Sequence, residues 1–582
     1  MRRAVVALVE MALVLLTKPV TAREKTGSDF ETLLHQAFEL HQQARYNESL
    51  PLLRRAFQAR PHDYFVNLLL GIDLLRFGKA SDAVSFLRTA AQLRPKEEFP
   101  REYMGESYAH LGQFQDAVES FADAMRVAPA SEQAITAFVD FSLERIRDIS
   151  MQLRATREGL AAEYRIEARA HRLGDPSRAR LLEQAVELDP AAPGVWSELA
   201  LTHVVLGQFD QAEQDFQNAG TVNPDDLVAL EAKAMQAAKH GTWSDAVKYL
   251  NVVLRRSPAM VERVARDWTA DLRPQDVDAT STGPAGIFFE CLKAGRETCD
   301  SPTGRKLMPE PRPGASPSVL FREQRWELLA RLPHPSAQDR EGWFFRGVAF
   351  AEMGNCVSAL PALERARGVL HRDAQIMYSL SVCYAKSAGE AASRFQDQDN
   401  EMVHVMRGDM LLRLSADSGA ALAEYQLALA KRPRDPSILE RVAEAQFAAG
   451  QADAARESAQ AALSIDPQRI SAKRTLARLF MQDRDYAAAI PYLQELISRD
   501  PADSSVRVEL ARACAQTGAY NEAVQNLAPM LEKGYPDQKG TLHYLLGTAL
   551  RKLGRNQEAE AAFAASRQLS EQFQHGSLQD RK

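Results

Sequence analysis

Apolar and polar positions recur along this chain in short blocks. In "LGQFQDAVESFADAMRVAP", residues 111–129, Ala117, Phe121 and Ala124 fall four and three apart, the spacing that places side chains on one face of a helix. A second block, "LGQFDQAEQDFQNAGTVNP" at 206–224, opens on the same four residues and closes on the same proline. Gly112, Gly207, Gly354, Gly450, Gly518 and Gly554 stand where one helix would end and its partner begin, as a left-handed C-cap requires. Closing prolines follow at 61, 95, 129, 190, 224, 258, 433, 467 and 501. Proline cannot continue a helix, and it can open the next one. The intervals 61–95, 95–129, 190–224, 224–258, 433–467 and 467–501 are each 34 residues. The chain is rich in Ala, Leu, Arg, Glu and Gln, all good helix formers, so the pattern predicts helix pairs throughout.

A 34-residue period of helix pairs resembles the tetratricopeptide repeat (TPR) family, whose pattern is W-x2-L-G-x2-Y, then A-x3-F-x2-A, then P. Residues 98–131 carry Gly105, Tyr108, Ala117, Phe121, Ala124 and Pro129. Residues 340–373 carry Trp343, Gly347, Phe350, Ala359, Leu363 and Ala366, and the last full repeat carries Leu546, Gly547, Leu550, Ala559 and Phe563. About a dozen such repeats, some degenerate, run from Phe30 to about Ser570. The resemblance implies an all-α fold, an α-solenoid (right-handed superhelix) of stacked antiparallel helix pairs. No repeat buries its apolar face alone, so stacking supplies the core. Gly105, Gly347 and Gly547 fall in mid-helix, where glycine costs ~1 kcal/mol against alanine. They are expected to admit a close approach by the second helix at Ala117 and Ala359.

At 582 residues the chain is too long for one ordinary core. Residues 1–22 resemble a signal peptide: Arg2 and Arg3, an apolar run from Ala4 to Leu16, then "VTA" ending at Ala22. That run is too short and too charged for a membrane span, which needs ~20 apolar residues. An N-terminal TPR block is expected at 30–258 and a C-terminal one at 341–570, with a polar tail at 571–582. Between the blocks lies an irregular insertion, 259–340, whose loop 301–318 holds five prolines. It reads either as a degenerate repeat with a long loop or as a hinge between blocks. Pro129 to Pro190 spans 61 residues, one full period and one short one, and "FSLERIRDISMQLRATREGLAAEY" reads as a long polar helix.

Net charge is only −6, which gives no basic footprint for nucleic acid. The chain has no H-E-x-x-H, no G-x-x-x-x-G-K-[ST], no G-x-S-x-G and no C-x-x-C, so no enzyme activity, metal or cofactor is expected. Of five cysteines, Cys514 takes a core position. The others read either as disulfides 291–299 and 356–383 or as unpaired buried thiols: Cys291 and Cys299 flank a turn, while Cys356 and Cys383 lie in adjacent repeats. Disulfides persist in an exported chain. Export to the periplasm or extracellular space is expected if the signal segment is cleaved, and a cytoplasmic location otherwise.

The TPR resemblance implies that helix-A positions 2, 5, 9 and 12 line a concave, peptide-binding groove. One patch would be Phe65, Leu68, Ile72 and Leu75, followed by Glu102 and Glu106. The other would be a row of Arg474, Arg478, Arg512 and Arg551, suited to an acidic or C-terminal carboxylate partner because guanidinium pairs bidentately with carboxylate. The same arginines also fit a solvated face paired to intramolecular glutamates. No repeat has the Lys and Asn pair that chaperone-binding TPR proteins use. The sequence thus leads to a non-catalytic protein-binding scaffold, or to an accessory subunit recruiting an enzyme in envelope assembly or polysaccharide export.

Overall fold

The computed structural model describes residues 25–579, apart from 154–155, 270–283, 294–315, 370–371, 396–398, 415–416, 500–502, 533–534, 536 and 538–539. The signal-like segment 1–22 lies outside them. Helices account for all regular structure among the described residues, and no strand occurs there. The chain is an all-α solenoid of helix pairs, divided into two compact units, residues 1–396 and 397–582.

The turn inside most of the described pairs has one geometry. Gly78, Gly112, Gly207, Gly241, Gly354, Gly450, Gly518 and Gly554 all have positive φ. Ala44, Gln324 and Arg484 take the same left-handed conformation without being glycine. The entry into the first helix of many pairs is also shared. Asp63, Asp226, Asp435 and Asp503, each two residues after a closing proline, accept N–H groups of the first turn. Such N-caps are worth ~1 kcal/mol each. Mid-helix glycines serve a close approach, but to a larger group than the sequence suggests. A Cβ on Gly105 would stand 2.9 Å from the ring of Phe121, and one on Gly347 would stand 2.7 Å from Leu363. The large side chain of the second helix, not Ala117 or Ala359, fills the notch.

The first unit begins with three pairs in series: Lys25–Gln42 with Tyr46–Ala59, Tyr64–Arg76 with Ala80–Leu93, and Phe99–His110 with Phe114–Val127. Helix Glu132–Leu153 follows, then Arg157–Ala170 against Pro176–Leu188, and the regular pairs Val195–Val205 with Phe209–Val222 and Leu227–Lys239 with Trp243–Arg256. Within the irregular segment, Pro317–Arg322 and Trp326–Arg331 form a short pair. It is stitched to the preceding repeat: the Gln324 side-chain oxygen accepts from Leu227 N–H at 2.6 Å, and Glu327 accepts from Ala259 N–H at 2.8 Å. This short pair continues the stack from the preceding repeat.

The stack then turns back. Arg340–Glu352 pairs with Cys356–Ala366, and the 20-residue helix Asp373–Ala392 lies along Glu132–Leu153 and reaches Arg157–Ala170. Cys356–Ala366 meets Phe114–Val127. Helices from 114 to 392 therefore form a closed ring. This places the boundary between units after Gln396, whereas the sequence suggests separate blocks ending at 258 and starting at 341. It also explains why the long helix at 132–153 is not polar: Phe138, Phe141, Ile146 and Ile149 are buried, because the returning helix covers a second face of it.

The second unit is regular. Its pairs are Glu401–Leu414 with Ser418–Lys431, Pro436–Ala448 with Ala452–Ile465, Ile470–Gln482 with Tyr486–Arg499, Ser504–Thr517 with Tyr520–Glu532, and Thr541–Lys552 with Asn556–Gln579. Leu493, Leu510, Leu527, Leu546 and Phe563 share one continuous core across the last three pairs.

Candidate functional site

In the second unit, Ile470–Gln482, Ser504–Thr517 and Thr541–Lys552 are the first helices of three successive pairs. Arg478 and Arg512 stand one 34-residue period apart, so they hold equivalent places on neighbouring helices. Arg474, one turn before Arg478, is already engaged: its guanidinium donates to Asp503 at 2.9 Å. The other Asp503 oxygen caps helix Ser504–Thr517 by accepting from Ser505 and Val506 N–H, each at 3.1 Å. Burial tends to raise the Asp503 carboxyl, but these bonds and Arg474 hold it below its ordinary range. Glu509 shifts the other way, raised by burial although Arg478, Arg474 and Arg512 oppose it.

The remaining arginines are less occupied. Arg512 and Arg551 are exposed and Arg478 is half-buried. Neither Arg478 nor Arg512 makes a hydrogen bond or ion pair among the described residues, although both feel the charge of Glu509. The Arg551 guanidinium carbon stands 5.2 Å from the centre of the Phe563 ring. Tyr544 is 60 % exposed and shares a face with Thr548 and Arg551, at i, i+4 and i+7. This face combines two open guanidinium groups, one half-buried one and an exposed phenol.

The apolar set of the first unit is placed differently. Leu68, Ile72 and Leu75 are buried, in one core with Phe30, Leu50 and Tyr103, and Phe65 is half-buried beneath the guanidinium of Arg94 at 4.8 Å. These residues form core rather than an open groove, because nearly the whole of helix Tyr64–Arg76 is buried. Next to them Glu102 is 6 % exposed, and Glu106 is half-buried and paired with Arg76 at 3.1 Å.

Cys356 and Cys383 are joined as a disulfide, linking the start of helix Cys356–Ala366 to the returning helix. Cys514 is free and buried. The pairing of Cys291 with Cys299 falls outside the described residues, since 294–315 are not among them. His203 is a buried core residue bonded to Asp215 at 2.7 Å.

Two buried polar clusters at the ring closure escape a reading by repeat period. Glu198 accepts from Arg169 at 2.8 Å, Arg165 at 3.2 Å and the Tyr378 hydroxyl at 3.2 Å. Burial alone would raise the Glu198 carboxyl, but Arg165 and Arg169 hold it well below the carboxylate range. Glu364 likewise takes Arg145 at 2.9 Å and the Tyr384 hydroxyl at 2.8 Å, while Arg145 lies 3.5 Å above the Phe114 ring. Beside that cluster a cavity of about 590 Å³ opens among Gln113, Asp116, Gln152, Glu364, Arg367 and Asp373, at the turn of the first "LGQF". The partners are up to 219 residues apart, so no local pattern announces them; the faint signal is a long helix with apolar residues on two faces.

A stacked array of helix pairs with polar side chains along its first helices defines a repeat scaffold for protein interaction. Models of the tetratricopeptide repeat match residues 197–261, 404–470 and 480–539, so these stretches are TPR repeats. None of the curated proteins matches the chain. Among solved structures, MamA from Desulfovibrio magneticus RS-1 is 16% identical over 30% of this chain and 96% of its own, with a TM-score of 0.27. A thermophilic TPR protein of Thermus thermophilus is 19% identical over 35% of this chain and 98% of its own, with a TM-score of 0.19. Pseudomonas aeruginosa pilF is 12% identical over 40% of this chain and 95% of its own, also at 0.19. Among the described residues, no helix is long and apolar enough to cross a membrane.

Proposed function

We propose that the protein is a non-catalytic scaffold whose second unit captures an acidic or C-terminal segment of a protein partner on Arg478, Arg512 and Arg551. The observation that carries this reading is that Arg478 and Arg512 recur at one position of successive repeats without a hydrogen bond or ion pair among the described residues. A carboxylate between them would gain charge-assisted bonds. Arg474 is a positioning residue held by Asp503, not a free contact. Replacing Arg478, Arg512 and Arg551 together by alanine is expected to lower affinity for an acidic peptide at least tenfold by fluorescence anisotropy. Unchanged affinity would refute the assignment.

A second reading adds export and an accessory role, in which the scaffold recruits an enzyme in envelope assembly or polysaccharide export. The Cys356–Cys383 disulfide supports an oxidising compartment, as does the leader-like sequence ending at Ala22. N-terminal sequencing tests export: a chain starting at Arg23 supports it and an intact Met1 contradicts it. Crosslinking in the envelope fraction, followed by identification of the captured protein, tests the accessory role, and a catch without an enzyme speaks against it.

A further inference from the structure

Helix Phe99–His110 carries carboxylates at Glu102 and Glu106, and a third, Glu98, stands at its N-cap. Glu106 is paired with Arg76 of helix Tyr64–Arg76. Glu102 faces the other neighbour: its Oε1 accepts from Gln133 Nε2 of helix Glu132–Leu153 at 2.9 Å. The remaining oxygen of Glu102, on a side chain about nineteen-twentieths buried, has no hydrogen-bond partner, and neither has the Gln133 side-chain oxygen. Two acceptors joined by one bond are thus both left without a donor, beside the carboxylates of Glu98 and Glu106, the phenol of Tyr103 and the guanidinium of Arg76. A buried acceptor without a donor costs free energy, and a charged one costs more. A group that brought positive charge and more than one N–H would recover that cost at both atoms.

We propose that Glu102 and Gln133, with Glu98 and Glu106 beside them, form a receptor for a basic side chain, lysine or arginine, of a protein partner. The site is separate from the arginine face of the second unit, opposite to it in charge, and independent of whether that face binds anything. Charge selects the occupant: an acidic side chain would leave both acceptors unpaired and add to the repulsion, and a neutral amide could donate to them but would leave the carboxylates unopposed. Burial pushes the Glu102 carboxyl up to about 7; the Gln133 bond and Arg76 oppose the rise, while Glu106 and Glu98 add to it. An incoming cation favours the ionised form, so binding at pH 7 releases a proton.

The test titrates the full chain with the pentapeptide acetyl-Ala-Ala-Lys-Ala-Ala-amide and with its norleucine twin, by calorimetry in two buffers of different ionisation enthalpy. The lysine peptide is expected to bind at least tenfold more tightly than the twin and to release a fraction of a proton at pH 7. Glu102→Gln is expected to lose both the preference and the proton release. Glu213→Gln, at an exposed glutamate of helix Phe209–Val222, is expected to keep both. Equal binding of the two peptides overturns the proposal, as does a preference that survives in Glu102→Gln. Should that variant fail to fold, the wild-type proton count still decides, since no release on lysine-peptide binding contradicts a site at Glu102.

Discussion

Single residues here are judged by how well they suit a position the repeat imposes. Arg484 sits at φ 62°, where its counterparts Gly450 and Gly518 sit at no steric cost. Non-glycine residues lose roughly 1–2 kcal/mol in that region. Arg484→Gly is therefore expected to stabilise the second unit by about 0.5–1 kcal/mol in urea unfolding. Gln324→Gly is expected to gain nothing, because it removes the bonds to Leu227 and Asp226. Gly105→Val tests the opposite fault. Its side chain would enter the Phe121 ring, and overpacking of this kind costs about 1–3 kcal/mol.

Glu102 gives a residue-scale prediction in pH. Its carboxyl titrates near 7 in the folded chain against an ordinary value of 4.5, because it is buried. The folded state holds that proton more tightly than the unfolded state. Its contribution to stability is thus complete below about pH 4.5 and is lost as pH rises through 7. Wild-type stability is expected to decline over that window relative to Glu102→Gln, and parallel curves for the two would contradict it. Glu198 runs the other way: depressed in the folded state, it stabilises above its unfolded value and loses that contribution on acidification.

At the scale of elements, the 34-residue spacing made the helix pairs, their turns and the all-α class legible, because each depends on residues close in sequence. The buried glutamate centres were not legible, since Arg145 and Glu364 are brought together only by the path of the whole chain. The arginine row was half legible. Helical spacing placed Arg478 and Arg512 together, but Asp503 doubles as a helix cap and an ion-pair partner, so Arg474 is spoken for. Asp503→Asn should keep the cap and weaken the hold on Arg474. Affinity for an acidic peptide is then expected to rise, by anisotropy, with little change in melting temperature. The apolar set at 65–75 misleads because a sequence cannot tell a bare apolar groove from a filled one.

The returning helix is held at its own element scale by a disulfide and by two tyrosine hydroxyls. A bridge spanning 27 residues is worth about 3.5 kcal/mol in the chain-entropy account. Replacing Cys356 and Cys383 by serine is expected to lower the stability of the first unit by roughly that amount, measured by urea unfolding against the oxidised chain. The second unit, which holds only the free Cys514 among its residues, should not respond.

On the scale of the molecule, the two units obey different rules. Among the described residues, the main contacts of each pair in the second unit are with its sequence neighbours, and the stability of such an array approximates a sum over repeats and interfaces. The first unit departs from this where Asp373–Ala392 meets Glu132–Leu153. A linear stack can gain or lose a pair and leave the others in register. A loop of helices that must meet its own beginning cannot, because one added or missing pair would carry the returning segment past Glu198 and Arg145. The number of helices between residues 114 and 392 is therefore a closed count, whereas the second unit is free to grow or shrink by whole repeats.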